Sequence, residues 1–407
     1  MAFTTVTGSN GVTSLVGTSG IDVATIVTLS SNVFVGGQGA NDVITENLTG
    51  PTFSASNYTV NGGAGDDAIT FNNAVLNSTI NGDGGTGTAG NDTIVLGGIV
   101  INSAVNGGSG NDVIGGFGGT SASYSNSTVN GNAGVDTILV GGSSATSIYG
   151  GQDGDTITTA NGIAANSSAV LINGNKGSDI ITLGASAFTT GTLYGGNGND
   201  IISAAAVIAT TGVPLGATAA GVFISGDLGD DTITGSNGID TINGVDGADV
   251  INGGTGADSI DGGAGNDTIT GGAGADTIAG GAGNNVFVYT TLTDATVSGS
   301  SGFDNITGFS ANTNAATTNG DRFDVTILPA AINSVTLTAA ATLQATLETL
   351  TAAQLGVNGV ALVNIGGANA FAGDYVVIGD GAAGYINTAD AVIKVNTLAN
   401  IGAATFI

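Results

Sequence analysis

Short segments in which apolar and polar residues alternate recur along the first 285 residues of the chain. One set directly follows aspartates and reads DAITF (67–71), DTIVL (92–96), DTILV (136–140), DTITT (155–159) and DIITL (179–183). A second set leads into glycine-containing turns and reads NSTING (77–82), NSAVNG (102–107) and NSTVNG (126–131). A period of two residues is typical of β-strands that bury one face. The pattern therefore predicts two strands per repeat, joined by glycine-rich turns.

The spacing of the turn aspartates predicts how the strands are stacked. Steps of 19 to 31 residues separate them from Asp22 to Asp231, and steps of nine residues follow from Asp231 to Asp276. Two nine-residue units make one coil with an aspartate turn on each side. A step of 19 to 25 residues indicates a coil with one such turn and a variable loop opposite. Because a single coil cannot bury its apolar face but a stack can, we predict a parallel β-solenoid.

The predicted fold class is all-β: a parallel β-roll or β-helix solenoid with a C-terminal α+β cap. Residues 1–235 are predicted to form a wide-coil solenoid with aspartate turns on one side, and residues 236–285 a roll of nine-residue repeats. The repeat ends there, so residues 286–407 are predicted to form a cap. Residues 337–354 contain no glycine or proline and carry leucines on one helical face, which predicts a helix.

Charge and composition limit the classes of partner. The net charge is −28, with only three basic residues, and 29 of the 31 acidic residues are aspartates because only Glu46 and Glu348 are glutamates. Such a charge repels nucleic acid and anionic membranes, so we expect neither as a partner. No apolar run is long enough for a membrane helix, and no cleavable N-terminal signal is visible.

The turns contain oxygen ligands only. The chain has no histidine and no cysteine, which disfavours zinc, copper and iron, whereas glycine carbonyls and aspartate carboxylates on flexible turns suit Ca²⁺. The candidate ligands are the carboxylates of the regular turns and the carbonyls of the most regular glycines: Asp67, Asp112, Asp136, Asp179, Asp200, Asp231, Asp240, Asp249, Asp258, Asp267 and Asp276, with Gly254, Gly256, Gly263, Gly265, Gly272 and Gly274.

Some turns depart from the regular frame. Insertions or shifted glycines mark the turns of Asp22, Asp42, Asp92 and Asp155, and Asn285 stands where an aspartate is expected. For any one aspartate, a metal-free turn residue remains the alternative, and it has more weight at these four positions. A loop from Asp380 to Asp390 is a weak further candidate because its spacing does not fit an EF-hand.

A catalytic role has little support in the sequence. Without histidine or cysteine, the usual serine and cysteine hydrolase triads and zinc hydrolase motifs are excluded. Neighbouring aspartates such as Asp66 and Asp67 could do acid–base work in principle. The preferred interpretation is that Asp67 is the turn ligand and Asp66 occupies the free position beside it. We therefore expect a protein that is not an enzyme.

Residues 226–285 closely resemble the RTX, or haemolysin-type, calcium-binding repeat family, and a looser resemblance extends back to about residue 17. The resemblance implies a calcium-loaded parallel β-roll with ligand positions from Asp231 to Asp276. It also implies that residues 286–407 are a type I secretion region with an uncleaved C-terminal signal, which the small and apolar end NTLANIGAATFI resembles. Because the repeats begin within the first 25 residues, we expect no counterpart of the catalytic or pore-forming domains of this family.

A chain that is almost all scaffold predicts a secreted, calcium-dependent structural protein of the bacterial cell surface, self-assembling into an S-layer, sheath or extracellular filament. Self-association is the expected interaction, with cell-surface polysaccharide as a further partner. The alternative is a calcium-stabilised adhesin or ligand-binding protein. Ice binding is disfavoured because the free turn positions form no regular threonine ladder. A polysaccharide-cleaving enzyme is disfavoured because the basic and aromatic cluster of such a site is missing.

Overall fold

The computed structural model describes most of the predicted solenoid and parts of the C-terminal region. The described residues are 4–7, 13–26, 33–46, 54–84, 90–116, 123–141, 143–159, 170–184, 191–205, 220–289, 304–310, 321–325, 332–338, 360–366, 372–378, 391–396 and 398. They form two compact units, Met1–Thr211 and Gly212–Ile407. Within these residues there is no helix of the length and apolarity that a membrane crossing requires.

The first unit consists of short strands, most of them three to seven residues long. In chain order they are β1 (Thr4–Thr7), β2 (Thr13–Val16), β3 (Val23–Ile26), β4 (Val33–Gly36), β5 (Val43–Glu46), β6 (Ser54–Ser56), β7 (Thr59–Gly63), β8 (Ala68–Phe71), β9 (Ala74–Leu76), β10 (Thr79–Asp83), β11 (Thr93–Leu96), β12 (Val100–Ile101), β13 (Ala104–Ser109), β14 (Val113–Gly115), β15 (Tyr124–Ser125), β16 (Thr128–Ala133), β17 (Thr137–Val140), β18 (Ser143–Ser144), β19 (Ser147–Gln152), β20 (Thr156–Thr159), β21 (Val170–Lys176), β22 (Ile180–Leu183), β23 (Gly191–Asn197) and β24 (Ile201–Ser203).

These strands stack coil upon coil into three parallel sheets. Sheet A contains the strands that follow the aspartates, in the order β3-β5-β8-β11-β14-β17-β20-β22-β24. Sheet B contains the strands that precede the turns, in the order β2-β4-β7-β10-β13-β16-β19-β21-β23. The first strand, β1, pairs antiparallel with β2. The predicted parallel solenoid is confirmed.

Sheet C lies where the sequence predicts a variable loop. It joins β6, β9, β12, β15 and β18 in parallel, so in these coils the side opposite the aspartates is a short strand. A recurring corner follows it, in which an asparagine with φ near +50°, such as Asn77 or Asn102, precedes a serine. The hydroxyl of Ser103 donates to the Ile101 carbonyl and accepts the N–H of Ser78 at 3.0 Å. This side is therefore also a repeated structure.

The second unit has the same plan at its start. Its strands are β25 (Ala220–Leu228), β26 (Thr232–Thr234), β27 (Ile239–Asp246), β28 (Val250–Thr255), β29 (Ser259–Ala264), β30 (Thr268–Ala273), β31 (Thr277–Ala279), β32 (Val286–Tyr289), β33 (Asp304–Thr307), β34 (Arg322–Val325), β35 (Ile332–Thr338), β36 (Val360–Gly366), β37 (Gly373–Ile378) and β38 (Ala391–Val395). One parallel face runs β26-β28-β30-β32-β34, and the other runs β25-β27-β29-β31-β33-β38.

The predicted α+β cap stays a prediction, since the described residues at the end of the second unit contain strands only. Coil stacking continues beyond residue 285, because β32 pairs in parallel with β30, β33 with β31, and β34 with β32. Strands β35 to β38 extend one face through mixed pairing. The predicted helix over 337–354 is wrong for Leu337 and Thr338, which belong to β35, and its remaining residues lie outside the described ranges. The boundaries at residues 235 and 285 stay predictions.

Columns of branched apolar side chains fill the interior of each unit. In sheet A of the first unit, the residue two places after each aspartate is in register with its equivalent in the next coil, as in Ile138, Ile157 and Ile181. All three are 0% exposed, whereas the flanking residues face outwards. Burying such a side chain contributes about 1.5–3 kcal/mol, so the column supplies much of the stacking free energy.

Replacing Ile157 with alanine tests this column. The change leaves a cavity between two coils, and we expect it to lower the free energy of unfolding by about 2–5 kcal/mol. Thr158→Ala is the control because Thr158 is on the same strand and faces outwards. Urea denaturation in saturating Ca²⁺ measures both variants. Equal effects would contradict the assignment of the inner and outer faces.

Candidate metal centre: a column of buried aspartates

Each aspartate turn places its aspartate in the interior, between a glycine-rich turn and the strand that follows. These aspartates are at most 2% exposed although they are charged residues in a surface turn: Asp22, Asp42, Asp67, Asp92, Asp112, Asp136, Asp155, Asp179 and Asp200 in the first unit, and Asp231, Asp240, Asp249, Asp258, Asp267 and Asp276 in the second. Every predicted carboxylate ligand is in this set. The irregular turns of Asp42, Asp92 and Asp155 also bring their aspartates into it.

Hydrogen bonds connect each aspartate to both neighbouring coils. The N–H of Asp112 donates to Oδ1 of Asp136 at 2.8 Å, and the Asp112 carbonyl accepts the N–H of Thr137 at 2.8 Å. The N–H to Oδ1 contact repeats at 2.6–2.8 Å from Asp22 to Asp200. In the second unit two such columns run side by side at 2.7–3.0 Å, one on each side of the narrow coil. One oxygen of each carboxylate is thereby used in holding the coils in register.

The second oxygen faces a space that exists because the first turn residue is glycine. A Cβ on Gly107 would lie 2.2 Å from Oδ2 of Asp112 and 2.8 Å from the carbonyl oxygen of Gly131 in the next coil. The turn of Asp67 is the same, with a Cβ on Gly62 only 2.3 Å from both Asp67 Oδ2 and the Gly82 carbonyl oxygen. A carboxylate oxygen and a carbonyl oxygen from two coils therefore converge at each of these glycines.

The other turn glycines carry further carbonyl columns. A Cβ on Gly265 would lie 1.7 Å from the Gly247 carbonyl oxygen of the preceding coil, and a Cβ on Gly272 would lie 2.0 Å from that of Gly254. Five of the six predicted carbonyl donors have φ between 97° and 152°, which L side chains rarely adopt: Gly254, Gly256, Gly263, Gly265 and Gly272. The sixth, Gly274, approaches the Gly256 carbonyl in the same way. Glycine is thus required at these positions by contact and by conformation.

The donor set fits Ca²⁺. Among the described residues, no hydrogen-bond donor reaches the buried Oδ2 atoms of Asp67, Asp92, Asp112, Asp136, Asp155, Asp179, Asp249, Asp258 and Asp267. A buried charged acceptor without a partner is costly unless a cation compensates it. No three acidic side chains converge within the described ranges, so carbonyls would have to complete each site. Flexible coordination by carboxylate and carbonyl oxygens is the chemistry that Ca²⁺ prefers. The individual ligand assignments stay predictions.

Burial changes the protonation of these carboxylates in the metal-free chain. Loss of solvent raises the pKa of Asp67 to about 7 and those of Asp112, Asp155 and Asp258 to about 8. The backbone N–H that each one accepts acts in the opposite direction, and the charges of neighbouring aspartates add to the increase. At neutral pH the carboxyls of Asp112, Asp155 and Asp258, with a pKa of about 8, are therefore mostly protonated in the metal-free chain.

The turns of Asp240 and Asp22 provide their aspartate with protein donors instead. In the turn of Asp240, the N–H of Ser236 donates to Oδ2 at 2.6 Å and its hydroxyl donates to Oδ1 at 2.8 Å. In the turn of Asp22, the N–H and hydroxyl of Thr18 donate to Oδ2, and the backbone hydrogen bond lowers the pKa of this carboxyl. Both turns have a hydroxyl residue at the second position, where Gly63, Gly108 and Gly254 stand in other turns. The predicted ligand Asp240 therefore differs from Asp67 and Asp112, whose Oδ2 atoms no described donor reaches.

The column continues through two aspartates that the sequence analysis missed. Asp304 accepts the N–H of Asp276 at 2.9 Å, and Asp321 accepts the N–H of Asn285 at 2.9 Å. Their second oxygens have protein donors, from the Tyr289 hydroxyl and the Ser310 N–H respectively. Their signal in the sequence is an aspartate two residues before Ile306 or Phe323, without the glycine frame. Asn285 takes the ladder position as predicted and accepts the N–H of Asp267 at 3.0 Å.

Without calcium, the stability of the coils should depend on pH in a defined direction. The raised pKa values mean that the folded chain binds more protons than the unfolded chain, whose aspartates titrate near pH ~4. Stability is then present below about pH 4 and is lost as the pH rises towards about 8. We expect circular dichroism of the chelated protein to show more β-structure at pH 5 than at pH 8, with Ca²⁺ restoring it at pH 8. More β-structure at pH 8 in chelator would contradict this.

The two kinds of turn predict a difference between two matched variants. Asp258→Asn removes the charge of a carboxylate whose Oδ2 has no protein donor, while keeping an oxygen to accept the N–H of Asp240. We expect it to lower the number of Ca²⁺ ions bound. Asp240→Asn removes a charge that Ser236 already satisfies, and we expect the number to stay unchanged. Titration calorimetry measures both, and an equal loss in the two variants would refute the distinction.

Comparison with known families agrees with this geometry. The family model of the RTX calcium-binding nonapeptide repeat matches four copies, over residues 192–206, 225–260 and 252–287. No curated protein matches the chain. RTX repeats are known to bind Ca²⁺ and are typical of secreted proteins. The turns of Asp200, Asp231, Asp240, Asp249, Asp258, Asp267 and Asp276 fall within the matched residues. The chain therefore carries RTX calcium-binding nonapeptide repeats, folded as a parallel β-solenoid.

Proposed function

We propose that this protein is a calcium-dependent structural protein of the bacterial cell surface, whose copies assemble into an S-layer, sheath or filament. The supporting observation is an open sheet edge in the first unit. Strand β1 covers sheet B by pairing antiparallel with β2, but no described strand lies outside β3 in sheet A. The outer N–H and C=O groups of β3 are a template on which a strand of another copy can pair.

The side chains beside this edge support the same proposal. Val23 on β3 is 58% exposed, and its partner Val43 in the next coil is 39% exposed. Two apolar side chains in register on an outer face lose unfavourable contact with water when another surface covers them. Calcium enters the proposal because it neutralises the aspartate columns that hold the coils in stacking register. Assembly then requires Ca²⁺ through the fold of each copy.

The proposed role is not enzymatic, and export without a cleaved N-terminal signal is part of the proposal. The adhesin alternative is favoured by a different observation, a groove lined by asparagines and a tyrosine on the outer face of sheet B. Assembly and ligand binding use different faces of the first unit, so one chain could perform both. Assembly has the stronger support, because β3 offers backbone groups as well as apolar side chains to a second copy.

Substitution at the edge tests assembly directly. We expect the calcium-loaded protein to form particles larger than monomers in light scattering and ordered arrays in negative-stain electron microscopy. Val23→Lys places a charge beside β3 and should block assembly while preserving the circular dichroism spectrum. Val113→Lys is the control, since Val113 is in the middle of the same sheet. Monomers at high Ca²⁺ in the unmodified protein, or an equal loss from Val113→Lys, would overturn the proposal.

A further inference from the structure

The outer face of sheet B carries a groove of about 550 Å³ beside the glycine turns. Its lining includes Asn130 and Asn132 of β16, Tyr149 of β19, and Asn175 and Lys176 of β21. Tyr149 is in register with Asn130 on one side and Asn173 on the other. With Gly108 and Ser109 of β13, the groove crosses four successive coils and runs along the direction in which they stack.

The shape of the groove follows from an alternation between coils. In the column at the second turn position, Gly108, Asn132, Gly151, Asn175 and Gly196 are successive register partners. In the column two residues earlier, the partners from Asn130 onwards are Asn130, Tyr149, Asn173 and Tyr194. A coil with a tyrosine in the earlier column thus has a glycine at the second turn position, and the next coil has an asparagine in both columns. The missing side chain at Gly151 leaves the depression next to the Tyr149 ring.

Three polar side chains of the groove, those of Asn130, Tyr149 and Lys176, are available to a ligand. Towards the N-terminal end of the same face, asparagines bond to each other, because Asn81 donates to Asn61 and Asn106 donates to Asn81, each at 2.7 Å. This series stops before Asn130. Within the described part of the chain, the side chains of Asn130, Tyr149 and Lys176 receive and donate no hydrogen bond. Their donors and acceptors face solvent beside an aromatic ring.

We propose that this groove binds a polysaccharide made of β-1,4-linked pyranose rings, lying along the stack of coils. Amide side chains both donate and accept hydrogen bonds, as sugar hydroxyls do, and a tyrosine ring provides an apolar surface for the C–H face of a sugar. The two-coil period corresponds to roughly 10 Å at the usual strand spacing. In a β-1,4-linked chain alternate rings are flipped, so like faces recur at every second sugar, over a similar distance.

The charge of the groove bears on which β-1,4-linked chain it binds, a neutral chain or a chain of uronic acids. The net charge of −28 disfavours acidic polymers in general. However, Lys176 is the only basic residue among the first 211 residues, and it lies in the groove. A neutral chain would not need Lys176, whereas a uronic acid chain would. The second unit supplies an internal contrast, since the smaller groove of about 400 Å³ at Asn243, Val245 and Asp261 contains neither a tyrosine nor a cation.

The inference is tested by calorimetric titration of the calcium-loaded full chain. The probes are cellohexaose, a β-1,4-linked oligomannuronate, and maltohexaose as the α-linked control. We expect at least one β-linked probe to bind and maltohexaose not to bind. Tyr149→Ala should weaken binding by about tenfold, and Tyr149→Phe should retain most of it, because the ring supplies the contact. Asn81→Ala, in the same column but outside the groove, should bind as the unmodified protein does.

The effect of Lys176→Gln separates the two kinds of β-linked chain. Binding of oligomannuronate that Lys176→Gln removes identifies a uronic acid chain, whereas binding of cellohexaose that Lys176→Gln leaves unchanged identifies a neutral one. Failure of every β-linked probe, equal binding of maltohexaose, or an unchanged affinity in Tyr149→Ala would overturn the proposal. Circular dichroism of each variant in Ca²⁺ confirms that the coils are intact. The same titration can be made with Val23→Lys, a change on sheet A that leaves the groove on sheet B intact. The test of the groove is therefore independent of assembly.

Discussion

The carboxylates buried beneath the aspartate turns are the interaction on which this fold depends. Their first oxygens accept N–H groups from the aspartates of the preceding coils, which sets the register of the stack. Their second oxygens face a glycine and a carbonyl of the next coil. Like charges about one strand spacing, ~4.8 Å, apart repel each other in a poorly solvated interior. The apolar columns can be packed only if this charge is neutralised, so cation binding becomes folding free energy.

The chain neutralises this charge in different ways at different places. Ser236 and Thr18 supply donors from the turn itself, and Tyr289 and Ser310 supply them for Asp304 and Asp321. Between these places, the described turns leave Oδ2 atoms such as that of Asp112 without a donor. A hydroxyl residue at the second turn position thus supplies the carboxylate with a donor, whereas a glycine there leaves its charge to be neutralised by a cation. Dependence on calcium is therefore a property of individual turns, and it differs from turn to turn along the chain.

The interior and the outer surface of the solenoid obey separate constraints. Inside, each position repeats because its side chain packs on its equivalent in the next coil. Outside, a side chain has only neighbours in the sheet, so the sequence can vary without loss of stacking. The alternation of Tyr149 and Tyr194 with asparagines occurs on this freer surface, as do exposed residues such as Val23 and Val43 at the edge of sheet A. Properties that differ between coils therefore point to function more directly than the repeat does.

The sequence by itself determined the parallel solenoid, the inward columns and the aspartates of the turns. It could do so because stacking of identical coils forces a fixed period on glycine, aspartate and isoleucine. The tertiary structure alone decided what each carboxylate contacts, because Ser236 and Tyr289 act through geometry that spacing does not record. It also revealed sheet C, whose short strands lack a clear alternating pattern, and the continuation of the column through Asp304 and Asp321. These last contacts join residues 28 and 36 positions apart, beyond any regular period of the chain.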